Sequence, residues 1–310
     1  MKKIICIVGP TASGKSSLGI ELAKVYNAEI ISADSMQIYK ELNIGTAKVS
    51  KEEQEQVKHH LIDFCDLNKQ FSVADYKKMC YETIEKIHKC GKNVILVGGT
   101  GLYISAVVND MNFENQTIDV KYRNNLYNIA SQEGNQYIWN ILNKIDPKSA
   151  QLIHKNNLKR VIRAIEIATY SEEKKSEHMS KETDRIKNSK QLYDFCIYYI
   201  DFEREKIYNR INQRVDNMVS NGLIEEAKMV YDKHLDNSAT CMQAIGYKEF
   251  FSYFQGLQSL DESILKLKQE TRNYAKRQMT WFKNKLNIHI LNGEKDISQL
   301  VSEIINSLSD

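Results

Sequence analysis

The chain lacks a CxxC pair, an apolar run of membrane-spanning length and any marked excess of charge of one sign. Each absence removes a class. Cys6, Cys65, Cys80, Cys90, Cys196 and Cys241 are scattered, so the spacing of a zinc site is missing. Thiols spread this way, without an export signal, are expected to be reduced and cytoplasmic. The apolar run Ile4 to Val8 behind Met1-Lys2-Lys3 is too short for a signal peptide, and a glycine loop interrupts it at once. No stretch of about 18 apolar residues exists, so no membrane span is expected. Lysine and arginine (43) barely exceed aspartate and glutamate (40), a net charge of +3. No global basic field is therefore present, and a nucleic-acid surface has to be sought as a local face. Internal repeats and low-complexity tracts are also missing. What remains is 310 residues of ordinary soluble composition, 42% hydrophobic and 27% charged, a length that suggests roughly two domains.

The pattern along the chain is that of an α/β protein. Ile4 to Val8 reads as a buried parallel strand. A glycine loop follows, then an apolar-periodic helix through Leu18, Leu22 and Val25. Ala28 to Ser32 is a second strand ending near Asp34. Ser72 and Asp75 form a capping-box pattern for a helix running to about Cys90, with Gly91 placed as a C-cap glycine. Asn93 to Val97 is a further apolar strand, followed by Gly98-Gly99-Thr100-Gly101. Strand, loop and helix repeated in this way predict a parallel sheet with helices on its faces. After about Asn112 the texture turns helical and rich in Asn, Lys and Glu. Proline is nearly absent, two in the whole chain, and Asp146-Pro147 reads as N-cap and first helical position. Asn156 is placed to cap a helix carrying Val161, Ile165 and Ala168. Residues 171–189 are charge-rich and weakly apolar, the composition of a mobile loop. Tyr193 to Ile200 is strand-like again and rejoins the sheet. The expected organisation is a catalytic core of residues 1–112 and 192–310, with C-terminal helices, interrupted by a helical insertion over 113–191.

Gly9-Pro10-Thr11-Ala12-Ser13-Gly14-Lys15-Ser16 has phosphate-loop spacing between a strand and a helix. Gly9, Thr11, Ala12, Ser13 and Gly14 would turn backbone N–H groups onto phosphate oxygens, at the positive pole of the helix. Lys15 would neutralise charge, and Ser16 would ligate Mg2+. The later strand, Asn93 to Val97, ends in glycines and Thr100 rather than in an aspartate. Asp34 is the first carboxylate at a strand end. Because ligands gather at the carboxyl ends of parallel strands, Lys15, Ser16, Asp34 and Thr100 are expected over one crevice. The loop alone leaves Asp34 as base, helix cap or Mg2+ ligand, and Thr100 as site residue or cap.

Three basic helical segments stand out in a chain otherwise near neutrality. One carries Lys159, Arg160 and Arg163, and another Arg204, Arg210 and Arg214. The third runs from Thr271 to Lys285, where Tyr274, Gln278 and Trp281 share a helical face with Arg277 beside it. Cations interleaved with aromatics and amides suit phosphate contact and base stacking on RNA.

Taken together, GPTASGKS, DSMQIYKELNIGTAK, HHLID, FSVADY, GGTGLY, RVIRAIE, RVDNM with GLIEE, QAIGYKE and TRNYAKRQMTWF resemble one family, the bacterial tRNA dimethylallyltransferases, also called tRNA isopentenyltransferases or IPP transferases. The matching segments fall in order across nearly the whole chain. Asn156-Asn157, Lys159 and Lys40 depart from residues common in the family. The resemblance implies a P-loop NTPase-like core with a helical insertion. The activity it implies is transfer of a dimethylallyl group from dimethylallyl diphosphate to N6 of the adenosine immediately 3′ of the anticodon. It also implies Asp34 as general base, Thr100 as the residue orienting the diphosphate, and Lys15, Ser16 and Arg214 as contacts to diphosphate and Mg2+. Asp34, Ser35, Met36, Gln37 and Thr100 would surround the target adenine. Arg123, Lys159, Arg160, Arg163, Cys241, Gln243, Gly246, Arg272, Tyr274, Lys276, Arg277, Gln278 and Trp281 would touch tRNA. On this reading the loop need not bind ATP, Mg2+ is the one cofactor, the partners are tRNA and the prenyl donor, and the chain is a monomer. The phosphate loop by itself keeps two alternatives open, a P-loop small-molecule or nucleoside kinase and an RNA-binding protein with an inactive loop.

Overall fold

The computed structural model describes residues 2–113, 119–170, 192–235 and 239–309; the segment 171–189, expected to be a loop, lies outside them. The chain divides into two units, residues 1–108 with 192–310, and residues 109–191. The boundary falls a few residues before the expected change at 112, because the last core helix before it already ends at Val108.

The first unit is built on six parallel strands: β1 (Lys3–Val8), β2 (Ala28–Ser32), β3 (His59–His60), β4 (Asn93–Gly98), β5 (Asp194–Asp201) and β6 (His289–Asn292), in the order β3-β2-β4-β1-β5-β6. Strand β1 is central, with Ile5 opposite Ile95 on one side and Cys196 on the other. Its residues alternate between two cores, as period-two side chains must. Ile4, Cys6 and Val8 pack with Tyr76, Cys80, Ile84 and Ile87 of α3 (Val73–Lys89) and with Tyr103, Ile104 and Val107 of α4 (Gly101–Val108). Ile5 and Ile7 pack with Leu18 and Leu22 of α1 (Lys15–Val25) and with Leu300, Val301 and Ile304 of the C-terminal helix, Ile297–Ser309. Both faces are buried, which is why these strands read as continuous apolar runs. Each fully buried aliphatic side chain contributes roughly 1.5–3 kcal/mol.

Helix ends follow the local signals. Ser72 Oγ accepts from the Asp75 amide at 3.2 Å, and Asp75 accepts from the Ser72 amide at 2.9 Å, closing the capping box. The short α2 (Lys51–Gln56) carries a second box at Ser50 and Glu53. After β5 come α9 (Arg204–Ser220), α10 (Leu223–Asp232), the single turn α11 (Phe251–Phe254), α12 (Leu260–Lys285) and, after β6, α13 (Ile297–Ser309). A third core joins Ile38, Tyr39 and Leu42 to Val215, Leu223, Ala227, Phe250 and Leu267. It fastens the long connection after β2 to helices α9, α10 and α12.

The second unit is helical: α5 (Val120–Glu133), α6 (Asn135–Ile145), α7 (Pro147–Leu152) and α8 (Leu158–Tyr170). Asp146 caps α7 through the Ser149 amide, with Pro147 at the first helical position. Helix α8 begins after Asn157, one residue later than the expected cap at Asn156. Leu126, Ile138, Leu142, Val161, Ile162 and Ile165 form its core. Among the described residues no helix is long and apolar enough to cross a membrane.

Candidate active site

Three loops leave the carboxyl ends of adjacent strands and meet over one crevice of about 390 Å³. After β1 comes the phosphate loop. Gly14, at φ 86°, occupies the left-handed region at the N-cap of α1, where a side chain would be strained. Its neighbours Lys15 and Ser16 line the crevice with Thr11. Gly9, Ala12, Ser13 and Gly14 shape the loop behind them; Ser13 is buried and Ala12 also has positive φ. Arg210 on α9 donates from Nε to the Ala12 carbonyl at 2.8 Å and steadies that turn.

After β2 comes Asp34. Its Oδ1 accepts the amides of Met36 (2.9 Å) and Gln37 (3.3 Å), a side-chain turn of the kind aspartate favours. Ser35, Met36 and Gln37 line the same crevice. After β4 comes Thr100, whose Oγ1 accepts the Ser35 amide at 2.9 Å and so ties the second loop to the third. Asp34 thus closes a turn at the crevice edge, whereas Thr100, expected over the crevice, is not among its lining residues and bonds instead to the loop that carries Asp34.

The crevice is cationic at its phosphate-loop end. Lys15 Nζ donates to the Pro10 carbonyl at 2.6 Å. Burial, reinforced by the neighbouring Arg214 guanidinium and opposed by Asp34, lowers the Lys15 ammonium to a pKa of about 7. Burial also holds Arg214 of α9 below its ordinary value, with Asp34 acting the other way. Lys15, Arg214 and Asp34 therefore feel one another's charge. Tyr274 of α12 lines the crevice, and burial, reinforced by the charge of Asp34, pushes its phenol upward, so the hydroxyl stays protonated. Met36, Val97, Val215, Met218, Ala244 and Ile245 give the crevice an apolar wall.

The remaining candidates divide. Gln243, Tyr274, Arg277 and Gln278 line the crevice. Lys276 and Arg277 are exposed, and Arg277 lies 5.7 Å from the Tyr274 ring centroid. Arg272 donates to Asn212 at 2.7 Å. In the second unit Lys159 and Arg160 are exposed. Arg123 forms a forked pair with the fully buried Glu166 at 2.6 and 2.8 Å, and Arg163 adds a third bond to it at 3.1 Å.

Three expected RNA contacts are occupied otherwise. Cys241 is buried and donates its thiol to the Leu67 carbonyl at 3.1 Å. Gly246 is buried, its amide held by Glu249 at 2.9 Å. Trp281 packs on Gly101, where a Cβ would lie 2.3 Å from the indole, and donates to Ser105 Oγ at 3.0 Å. A shared helical face does not distinguish an RNA-facing aromatic from one that clamps a neighbouring helix.

Sequence reading missed Glu226. From the first turn of α10 its carboxylate accepts the amides of Asn43, Ile44 and Gly45 at 2.9–3.0 Å, and the Tyr247 hydroxyl at 2.9 Å. Gln37 Nε2 in turn donates to the carbonyls of Thr46 and Ala47. Glu226 thereby fixes the crevice wall formed by Gly45, Thr46 and Ala47. Its sequence signal is the acidic pair of the GLIEE segment, which carries the resemblance without saying what the carboxylate holds.

For Mg2+ the protein itself offers few ligands. No group of three or more His, Cys, Asp or Glu side chains suited to a metal occurs among the described residues. Ser16 hydroxyl and Asp34 carboxylate share the crevice, a donor set that fits an ion bound mainly by diphosphate oxygens.

Comparison with known proteins gives a consistent picture. The family model described as IPP transferase matches residues 37–285. A tRNA dimethylallyltransferase of Acetivibrio thermocellus is 45% identical over 308 residues, 99% of this chain and 96% of the relative. Among solved structures, the full-length tRNA isopentenylpyrophosphate transferase of Bacillus halodurans superposes with a TM-score of 0.73 at 42% identity, covering 100% of this chain and 96% of the other. A eukaryotic dimethylallyltransferase acting on tRNA gives a TM-score of 0.76 at 30% identity, over 99% of this chain and 78% of its own.

Proposed function

The chain belongs to the IPP transferase family, and we propose that its crevice transfers a dimethylallyl group from dimethylallyl diphosphate to N6 of the adenosine immediately 3′ of the anticodon in tRNA. The observation that carries this reading is a single cleft lined together by a cationic phosphate loop, a strand-end carboxylate and an apolar wall. A kinase would use the same loop but has no need of that wall or of Asp34 set beside Thr100.

In this reading Lys15, Arg214 and loop amides other than that of Thr11, which Gln278 holds instead, take the diphosphate, and the dimethylallyl chain lies on the apolar residues. The adenine amine is a weak nucleophile because its lone pair is delocalised into the ring. Asp34 Oδ1 is committed to two backbone amides, and in this reading Oδ2 takes the proton of the amine. As N6 bonds to C1 of the allyl group, its proton passes to Asp34 and the bond from C1 to the diphosphate oxygen breaks. Positioned proton acceptance contributes about 10²–10⁴-fold. Charge growing on the departing diphosphate is met by donors already in place, and the wall keeps water from the allylic centre. Ser16 and diphosphate oxygens would hold Mg2+, which would add positive charge at the leaving group. The adenine leaves its stack to enter the cleft, at a cost of a few kcal/mol. Lys159, Arg160, Lys276 and Arg277 are assigned to RNA phosphates that offset this cost. The chain is taken to act as a cytoplasmic monomer.

The test is incubation with tRNA and either prenyl-labelled dimethylallyl diphosphate or γ-labelled ATP. Label entering RNA from the prenyl donor alone supports the reading. Phosphate transfer from ATP without prenyl transfer would overturn it.

A further inference from the structure

Gln278, expected to touch RNA, is turned inward in this fold. It is 5% exposed, and both ends of its amide are engaged. Oε1 accepts the Thr11 amide of the phosphate loop at 2.8 Å, and Nε2 donates to the Gly99 carbonyl at 2.9 Å, in the loop that carries Thr100. The phosphate loop and the Thr100 loop are far apart in sequence, and this one amide spans them. The fit is close: a Cβ on residue 99 would lie 2.2 Å from Gln278 Nε2, so glycine there is a requirement of the bracket. Thr100 in turn holds the Ser35 amide, next to Asp34.

We propose that Gln278 is a positioning residue for prenyl transfer. It sets the separation between the loop that holds the leaving diphosphate and the Thr100–Asp34 side that activates the acceptor. The inference rests on the crevice being the prenyl-transfer site. Only a group that donates at one end and accepts at the other satisfies both loops. A carboxylate would accept from Thr11 but repel the Gly99 carbonyl, whereas a protonated carboxyl would restore both bonds.

That difference supplies the test. Gln278→Glu keeps the shape of the side chain, and the introduced carboxyl, buried against a carbonyl, should have a raised pKa. Transfer from labelled dimethylallyl diphosphate to tRNA is followed under single-turnover conditions between about pH 6 and 8.5, with donor and tRNA affinities and thermal unfolding measured alongside. Lys15, Asp34 and Arg214 share the crevice with Tyr274 and Arg277 and are common to both proteins, so the ratio of variant to wild type reports the introduced group. The ratio is expected to fall about 10²-fold at the alkaline end, the effect of a misplacement near 1 Å, and to recover at least tenfold toward pH 6. Both affinities are expected to stay within about threefold. Gln278→Met, which can neither donate nor accept, should show the loss without the recovery. Wild-type rate throughout, a loss confined to tRNA affinity, or a rate loss in Gln278→Glu that does not recover at low pH would each overturn the positioning role. Absence of transfer by the wild-type chain would instead count against the reading of the site itself.

Discussion

Lys15 gives the crevice its pH signature. With a pKa near 7, the ammonium is largely neutral by about pH 8, far from the ordinary lysine value near 10.4. A diphosphate placed against it favours the charged form again, so donor binding should take up a proton above pH 7. Titration calorimetry in buffers of different ionisation heat should show uptake approaching one proton at about pH 8, and Lys15→Met should remove it. Equal uptake in both proteins would contradict the assignment. The sign for stability follows. The folded chain binds fewer protons at this group than the unfolded chain between about 7 and the ordinary lysine value, so its contribution to stability rises with pH across that window. Asp34 is tested differently. Asn at this position keeps the oxygen that caps Met36 and Gln37 but accepts no proton. Asp34→Asn should lower turnover by about 10²–10⁴-fold while tRNA affinity stays within about threefold. A large affinity loss with turnover retained would sink its role. Asp34 was legible in the sequence because it closes an apolar strand. The inward bonds of Gln278 were not legible, because a helical face with Tyr274 and Trp281 cannot show which residues the fold turns inward.

Elements explain what single positions cannot. Helix α12 is amphipathic in a functional sense: its exposed side carries Lys276 and Arg277, and its inner side carries Tyr274, Gln278 and Trp281. Strands β1, β2, β4 and β5 were readable because each carries an apolar run buried on both faces. The edge strand β3, two residues long, and β6, with three of its four residues exposed, carry no such run. Boundaries marked by capping chemistry, at Ser72 and Pro147, were equally readable. In the helical unit, Arg123 was assigned to RNA by resemblance, yet it joins α5 to α8 through a carboxylate with no exposure. Arg123→Ala should therefore destabilise this unit by about 1.5–3 kcal/mol, the range for lost hydrogen bonds to a charged group, because Arg163 still pairs with Glu166. Trp139 of α6 reports that unfolding in denaturant once Trp281 is replaced by Phe. An unchanged transition would mean that Arg123 is free to serve RNA alone.

At the scale of the molecule, a net charge of +3 argues for a confined grip rather than a general affinity for polyanions. Binding of tRNA should weaken linearly in log–log form as salt rises. Arg277→Ala should reduce that slope by about 1 while leaving donor affinity alone; an unaltered slope would remove Arg277 from the interface. The overall plan was legible, an α/β core interrupted by helices, because hydrophobic period and texture change along the chain. The clamp of Glu226 on residues 43–45 and the Gln278 bracket were not, because each joins segments distant in sequence through hydrogen bonds that leave no periodic trace. The account stands most directly on a crystal structure of the chain with tRNA and a non-reactive thio analogue of dimethylallyl diphosphate. It predicts the diphosphate within hydrogen-bond reach of Lys15 and Arg214, and adenine N6 within about 3.2 Å of an Asp34 oxygen. A diphosphate bound away from the glycine loop, or an adenine that never reaches Asp34, would contradict it.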